Sequence, residues 1–150
     1  MILVSSCLGG IECRYNGSHA ASEKILRLVD EKKAVMVCPE LLGGFTTPRE
    51  PAEIIGGTGE DVLNGTAKIV TASGEDVTAL YMAGAEKTLA YAKEIGDGTV
   101  ILKENSPSCG SSFIYDGTFS GKKITGDGIT SALLKRAGCR VLSEDELDQL

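Results

Sequence analysis

The chain has 150 residues, 42% hydrophobic and 24% charged, enough for one domain with its own core. Its net charge of −6 argues against binding long nucleic acid, whose phosphates an acidic surface repels. No apolar run is long enough to span a membrane, and the opening MILVSSC lacks a basic leader, so the expectation is a cytoplasmic protein forming one domain over 1–150.

Residues 2–6 (ILVSS) read as a short buried strand, followed by the glycine-rich loop CLGGIECRYNGSH. Ile25, Leu28 and Val29 share one face of a helix predicted over 22–31. AVMVC (34–38) is a second buried strand. The next segment, PELLGGFTTPREPAEI, holds three of the four prolines and reads as a long loop. TAKIVTASG (66–74) alternates as a strand, half of a small hairpin. Leu80, Gly84, Thr88 and Tyr91 recur at helical spacing, predicting a helix over 77–95 with Asp76 or Thr78 as N-cap and Gly96 as its end. TVILK (99–103) is a third buried strand. A helix over 129–137 is stopped by Gly138, and CRVLS (139–143) is a fourth strand. Ser143 and Glu146 have the spacing of a capping box for a final short helix. Continuously apolar strands alternating with helices predict an α/β fold. It is a Rossmann-like or flavodoxin-like open, mainly parallel sheet of order 2-1-3-4 with helices on both faces.

Five cysteines are present, an odd number that does not suit a disulfide framework. Open parallel sheets bind ligands beyond the C-terminal ends of their strands. Cys7, Cys38 and Cys109 each fall at or just past such an end, on strands spaced by about 4.8 Å. Cys139 begins the fourth strand, at the opposite edge, and reads as a core residue. Cys109 sits between SPS and GSS, an unusual setting for core packing. Three thiols without a histidine partner point to a soft metal or an iron–sulfur cluster. Cys13 as a fourth donor keeps zinc as an alternative, and a thiol oxidoreductase using Cys109 is another. His19 reads as a solvated loop residue. Glu40, two residues after Cys38, is the candidate proton carrier. Ser106, Ser108, Ser111 and Ser112 form turns or meet a substrate. Arg14 and Arg49 pair with carboxylates or steer a polar substrate. GDGIT before a helix has the look of an anion site.

The blocks CLGGIECRYNG, CPELLGGFTTPREPAEI and LKENSPSCGSSFIYDGTFSGKKITGDGIT resemble the signature blocks of the thiouracil desulfidase family, formerly a domain of unknown function. The similarity runs through nearly the whole chain. It implies an oxygen-sensitive [4Fe-4S] cluster held by three cysteines, here Cys7, Cys38 and Cys109. It implies catalytic roles for Glu40 and Ser106; Arg14, Ser108, Ser111 and Ser112 are candidate substrate contacts on the residue reading alone. The implied reaction is non-redox removal of sulfur from a thiolated base such as 2-thiouracil, giving the oxo base and sulfide. The implied partner is a small molecule, with no long nucleic acid and no membrane; the oligomeric state is left open. A zinc- or cluster-binding module without catalysis is the rival from another class.

Overall fold

The computed structural model describes residues 1–17, 20–95 and 98–149. The expected loop residue His19 and helix stop Gly96 lie outside them. In chain order the first half holds β1 (Ile2–Ser5), α1 (Glu23–Asp30), β2 (Ala34–Val37), α2 (Pro39–Leu42), β3 (Ala52–Ile55), α3 (Gly59–Leu63) and β4 (Lys68–Thr71). The second half holds α4 (Thr78–Ile95), β5 (Thr99–Leu102), β6 (Phe113–Tyr115), β7 (Lys123–Thr125), α5 (Ile129–Arg136) and β8 (Arg140–Ser143).

Four parallel strands form one sheet in the order β2-β1-β5-β8, which is the predicted 2-1-3-4 order. Their sequences are apolar throughout because both faces are covered. Val4, Ile101 and Leu142 pack with Ile25 of α1 on one side. Leu3, Val100 and Leu102 pack with Ala92 of α4 and Leu134 of α5 on the other. Each such side chain, taken out of water, contributes about 1.5–3 kcal/mol.

The structure departs from the sequence reading between the second and third sheet strands. The proline-rich segment is not one loop: it contains α2 and β3. β3 pairs antiparallel with β4, so the hairpin partner of the predicted 66–74 strand lies inside that segment. Pro48 and Pro51 both lie just before this short strand and mask its pattern. The three-residue strands β6 and β7 form a second antiparallel hairpin. The last helix is a 3₁₀ segment, Glu144–Gln149. Its capping contacts form nonetheless: Ser143 N–H donates to Glu146 (3.1 Å) and Asp145 N–H to Ser143 Oγ (3.2 Å).

The hairpins close over a second core, in which Ile54, Val62, Ile69, Tyr81, Ile114 and Ile129 are buried together. α2 lies against α4 at a glycine contact, where a Cβ on Gly84 would stand 2.0 Å from the Pro39 carbonyl oxygen. That approach fixes α2, and with it Glu40, at the sheet edge.

Candidate functional site: a thiol-lined cavity at the sheet edge

A cavity of about 410 Å³ opens where the parallel strands end, within the range of ~300–1,000 Å³ usual for small-molecule sites. Cys7, Cys13, Cys38, Cys109, Glu40 and Ser106 are among its lining residues. Cys7 sits in a 3₁₀ turn, Ser6–Gly9, directly after β1. Cys38 stands in extended conformation between β2 and α2, with Pro39 opening the helix. Cys109 lies on the loop after β5. The three thiols expected at one edge therefore line one cavity, joined by Cys13. Cys139, just before β8 at the opposite end of the parallel strands, packs against the core, as expected.

The loop carrying Cys109 is built around two side chains. Ser106 Oγ accepts the N–H groups of Ser108 (3.0 Å) and Cys109 (2.8 Å). Glu104, only 7% exposed, accepts backbone N–H groups at Oε1 from Ser111 (2.9 Å), Ser112 (3.1 Å), Phe113 (3.1 Å) and Asn105 (3.3 Å). Burial acts to raise the Glu104 carboxyl; those N–H bonds outweigh it and hold the group below the usual carboxylate range. Sequence reasoning missed Glu104. Its only signal is an acidic residue at the exit of an apolar strand.

The loop also docks on α5. The N–H groups of Gly128, Ile129 and Thr130 donate to the carbonyls of Gly110 (2.7 Å), Pro107 (2.8 Å) and Ser108 (2.9 Å). A Cβ at Gly128 would lie 2.5 Å from the Ser108 backbone. The GDGIT turn is thus a docking surface for the Cys109 loop, and its donors are spent on protein carbonyls rather than left for an anion.

Glu40 is ion-paired with Arg49, Oε2 to Nη2 at 2.5 Å, with the side chains 13% and 7% exposed. Arg49 Nη2 also donates to the Cys13 carbonyl (3.0 Å), linking the carboxylate to the thiol loop. Arg49 Nε is buried without a hydrogen-bond partner, alone in this among the described residues. The other oxygen of Glu40 is the acceptor for the Cys109 thiol at 4.0 Å.

Burial and then the negative Glu40 raise Cys109 well above an ordinary thiol. Cys38 is raised as well, first by its hydrogen bond with Cys13 and then by burial. For Cys13, the Cys38 contact pulls downward, but the Cys7 contact, burial and Glu40 prevail and push it up to about 11. These upward shifts favour the thiol form of Cys13, Cys38 and Cys109 at neutral pH, and a bound cation reverses that balance by stabilising thiolate.

The donor set suits an iron–sulfur cluster. The donors are soft, and they stand around a cavity rather than a point. Among the described residues, no group of three His, Cys, Asp or Glu side chains closes on a single ion position. A zinc ion needs ligands at about 2.0–2.3 Å, whereas a cluster lets its cysteines stand apart.

Of the expected substrate contacts, Arg14 lines the cavity; Ser108, Ser111 and Ser112 are not among the lining residues. Ser108 Oγ is buried against Thr130 Oγ1 at 2.7 Å, and Ser111 and Ser112 serve the Glu104 network. These serines build the loop from behind. Tyr81, Tyr115, Phe119 and Glu53, not singled out in the sequence, do line the cavity. No helix among the described residues is long and apolar enough to cross a membrane.

The chain is similar to known proteins along almost its whole length. A Bacillus subtilis (strain 168) protein, the uncharacterized YbbK, is 85% identical over 150 residues, covering 100% of this chain and 99% of that one. The solved structure of TudS, a [4Fe-4S]-dependent thiouracil desulfidase, superposes with a TM-score of 0.87 at 44% identity, covering 99% of this chain and 93% of that chain. Residues 2–146 match the model of the 2-thiouracil desulfurase family, and the chain belongs to that family.

Proposed function

We propose that this protein is a [4Fe-4S]-dependent desulfidase that converts a small thiolated base, of which 2-thiouracil is the type, into its oxo form and sulfide in the cytoplasm. The observation that carries the reading is one cavity bounded by Cys7, Cys38 and Cys109 with Glu40 beside them. In that reading the three cysteines hold the cluster. Bound there with only three protein ligands, it supplies Lewis acidity toward a thiocarbonyl sulfur.

The protein supplies the rest. Glu40 takes a proton from the water that attacks the thiocarbonyl carbon; oxygen replaces sulfur, which leaves as sulfide, and no net electrons move. Arg49 pairs with that carboxylate and ties it to the Cys13 loop. Ser106 fixes the Cys109 backbone through its Oγ, and its hydroxyl proton remains available for a relay.

The test is anaerobic reconstitution followed by turnover of 2-thiouracil, measuring uracil and sulfide with iron content and visible absorption. Stoichiometric uracil and sulfide without added reductant supports the reading. A full cluster without turnover makes the protein a binding module, and zinc without iron refutes the cluster.

A further inference from the structure

Part of the cavity wall is made by the β6–β7 hairpin, which contributes Tyr115, Phe119 and Gly121. Its connecting loop has internal bonds: Thr118 N–H and Oγ–H donate to Asp116 Oδ1 at 3.0 and 2.6 Å. Its position over the cavity is set from outside. Glu53 of β3 accepts the N–H groups of Gly117 (2.9 Å) and Phe119 (3.2 Å), both at Oε1. Phe119 is held at φ +55°, a left-handed conformation that costs a bulky residue energy and needs surrounding contacts to persist.

Glu53 is 8% exposed and lines the cavity itself. Its second oxygen, Oε2, has no hydrogen bond among the described residues. Left free on a residue that lines the cavity, that oxygen can accept a hydrogen bond from a bound ligand. The arginine in this cavity that is committed to a carboxylate, Arg49, serves Glu40.

We propose that Glu53 is a specificity-determining residue: Oε2 accepts a ring N–H adjacent to the thiocarbonyl, while Oε1 holds Phe119 as the surface on which the planar ring rests. This deepens the desulfidase reading and rests on it. The substrate class is then a planar thiocarbonyl heterocycle with a free N–H beside the C=S group. One carboxylate couples recognition of that N–H to the placement of the aromatic wall.

The experiment uses the anaerobically reconstituted protein. Turnover is measured with 2-thiouracil and its 1-methyl and 3-methyl derivatives, and binding with uracil, 1-methyluracil and 3-methyluracil. Wild type should lose about 10- to 100-fold in affinity for one of the two methyl isomers, the usual effect of removing a hydrogen bond to a charged group. Glu53→Gln keeps a carbonyl for Gly117 and Phe119 but turns a donor toward the ring. It should weaken uracil by a similar factor, erase the methyl discrimination and leave the cluster absorption unchanged. Phe119→Ala should weaken all three bases alike and keep the discrimination. Equal binding of both methyl isomers by wild type overturns the proposal, as does unchanged discrimination in Glu53→Gln. If Glu53→Gln fails to fold, the wild-type methyl pattern alone decides. Selective uracil binding without thiouracil turnover sinks the desulfidase reading and leaves the Glu53 assignment standing; no binding of any base sinks both.

Discussion

The two walls of the cavity are built by different physics. On the sheet side, the bases of the thiol loops are set by backbone ladders: β1 pairs with β2 from Ile2↔Ala34 to Ser5↔Val37, and β5 pairs with β8 from Thr99↔Arg140 to Leu102↔Ser143. On the hairpin side, β3–β4 and β6–β7 have antiparallel ladders of their own, and buried carboxylates hold the loops beside them. Glu104 gathers the N–H groups of the Cys109 loop, and Glu53 those of the β6–β7 loop. Irregular backbone must still satisfy its buried polar groups, and a carboxylate can accept several at once. The thiol loops are thus seated on the parallel ladder, and the hairpin side is held in place by side-chain acceptors.

The largest effect expected is at the sheet edge. Cys7→Ser, Cys38→Ser and Cys109→Ser should each abolish the cluster, read as iron and labile sulfide after anaerobic reconstitution, because a hydroxyl is a poor substitute for thiolate. Cys139→Ser should reconstitute fully, since that residue lies just before β8, at the opposite end of the parallel strands. Cys13→Ser should also retain the cluster; its loss there would make the site four-coordinate by cysteine and close the open position.

Glu40→Gln separates chemistry from assembly. The variant should carry a normal cluster yet turn over 2-thiouracil about 10²-fold or more slower, the scale of losing a positioned base. Normal turnover with a full cluster would reduce Glu40 to a partner for Arg49. Ser106→Ala removes the acceptor for two N–H groups as well as any relay. It should lower both cluster stability and turnover, more mildly than Glu40→Gln.

Glu104→Gln sharpens the comparison from the hairpin side. It should cost about 2 kcal/mol in urea unfolding at neutral pH, from weakening hydrogen bonds made to a buried charge. The pH dependence carries a definite sign. The folded carboxyl lies below its ordinary range, so its stabilisation is complete above that range and is lost as pH falls through the lowered folded value. Wild type should thus lose stability more steeply in acid than Glu104→Gln; parallel curves would show that the network holds the carboxyl in neither state preferentially. The smallest effect belongs to the pair Arg136–Glu60, whose side chains are 47% and 49% exposed. Glu60→Ala should shift stability by no more than about 1 kcal/mol.

Local sequence was enough for the sheet. Four apolar runs of near-equal length, separated by helical patterns and glycine stops, leave few arrangements that bury them, and the observed strand order is the one expected. Cys7, Cys38 and Cys109 follow from that order, because their distance from a strand end is readable in sequence. Of the hairpin strands, only β4 was legible, as half of a hairpin over 66–74. β3 is shadowed by Pro48 and Pro51, and β6 and β7 are too short for periodicity. The serines near Cys109 show the same limit: their composition announces a turn, but only packing against α5 and Glu104 decides that Ser108, Ser111 and Ser112 face away from the cavity. Sequence by itself determined the sheet, its order and the thiols at its edge, since period and length are local properties. The tertiary structure alone decided which acidic residues are buried and what they hold, because a carboxylate's partners here come from loops up to 66 positions away.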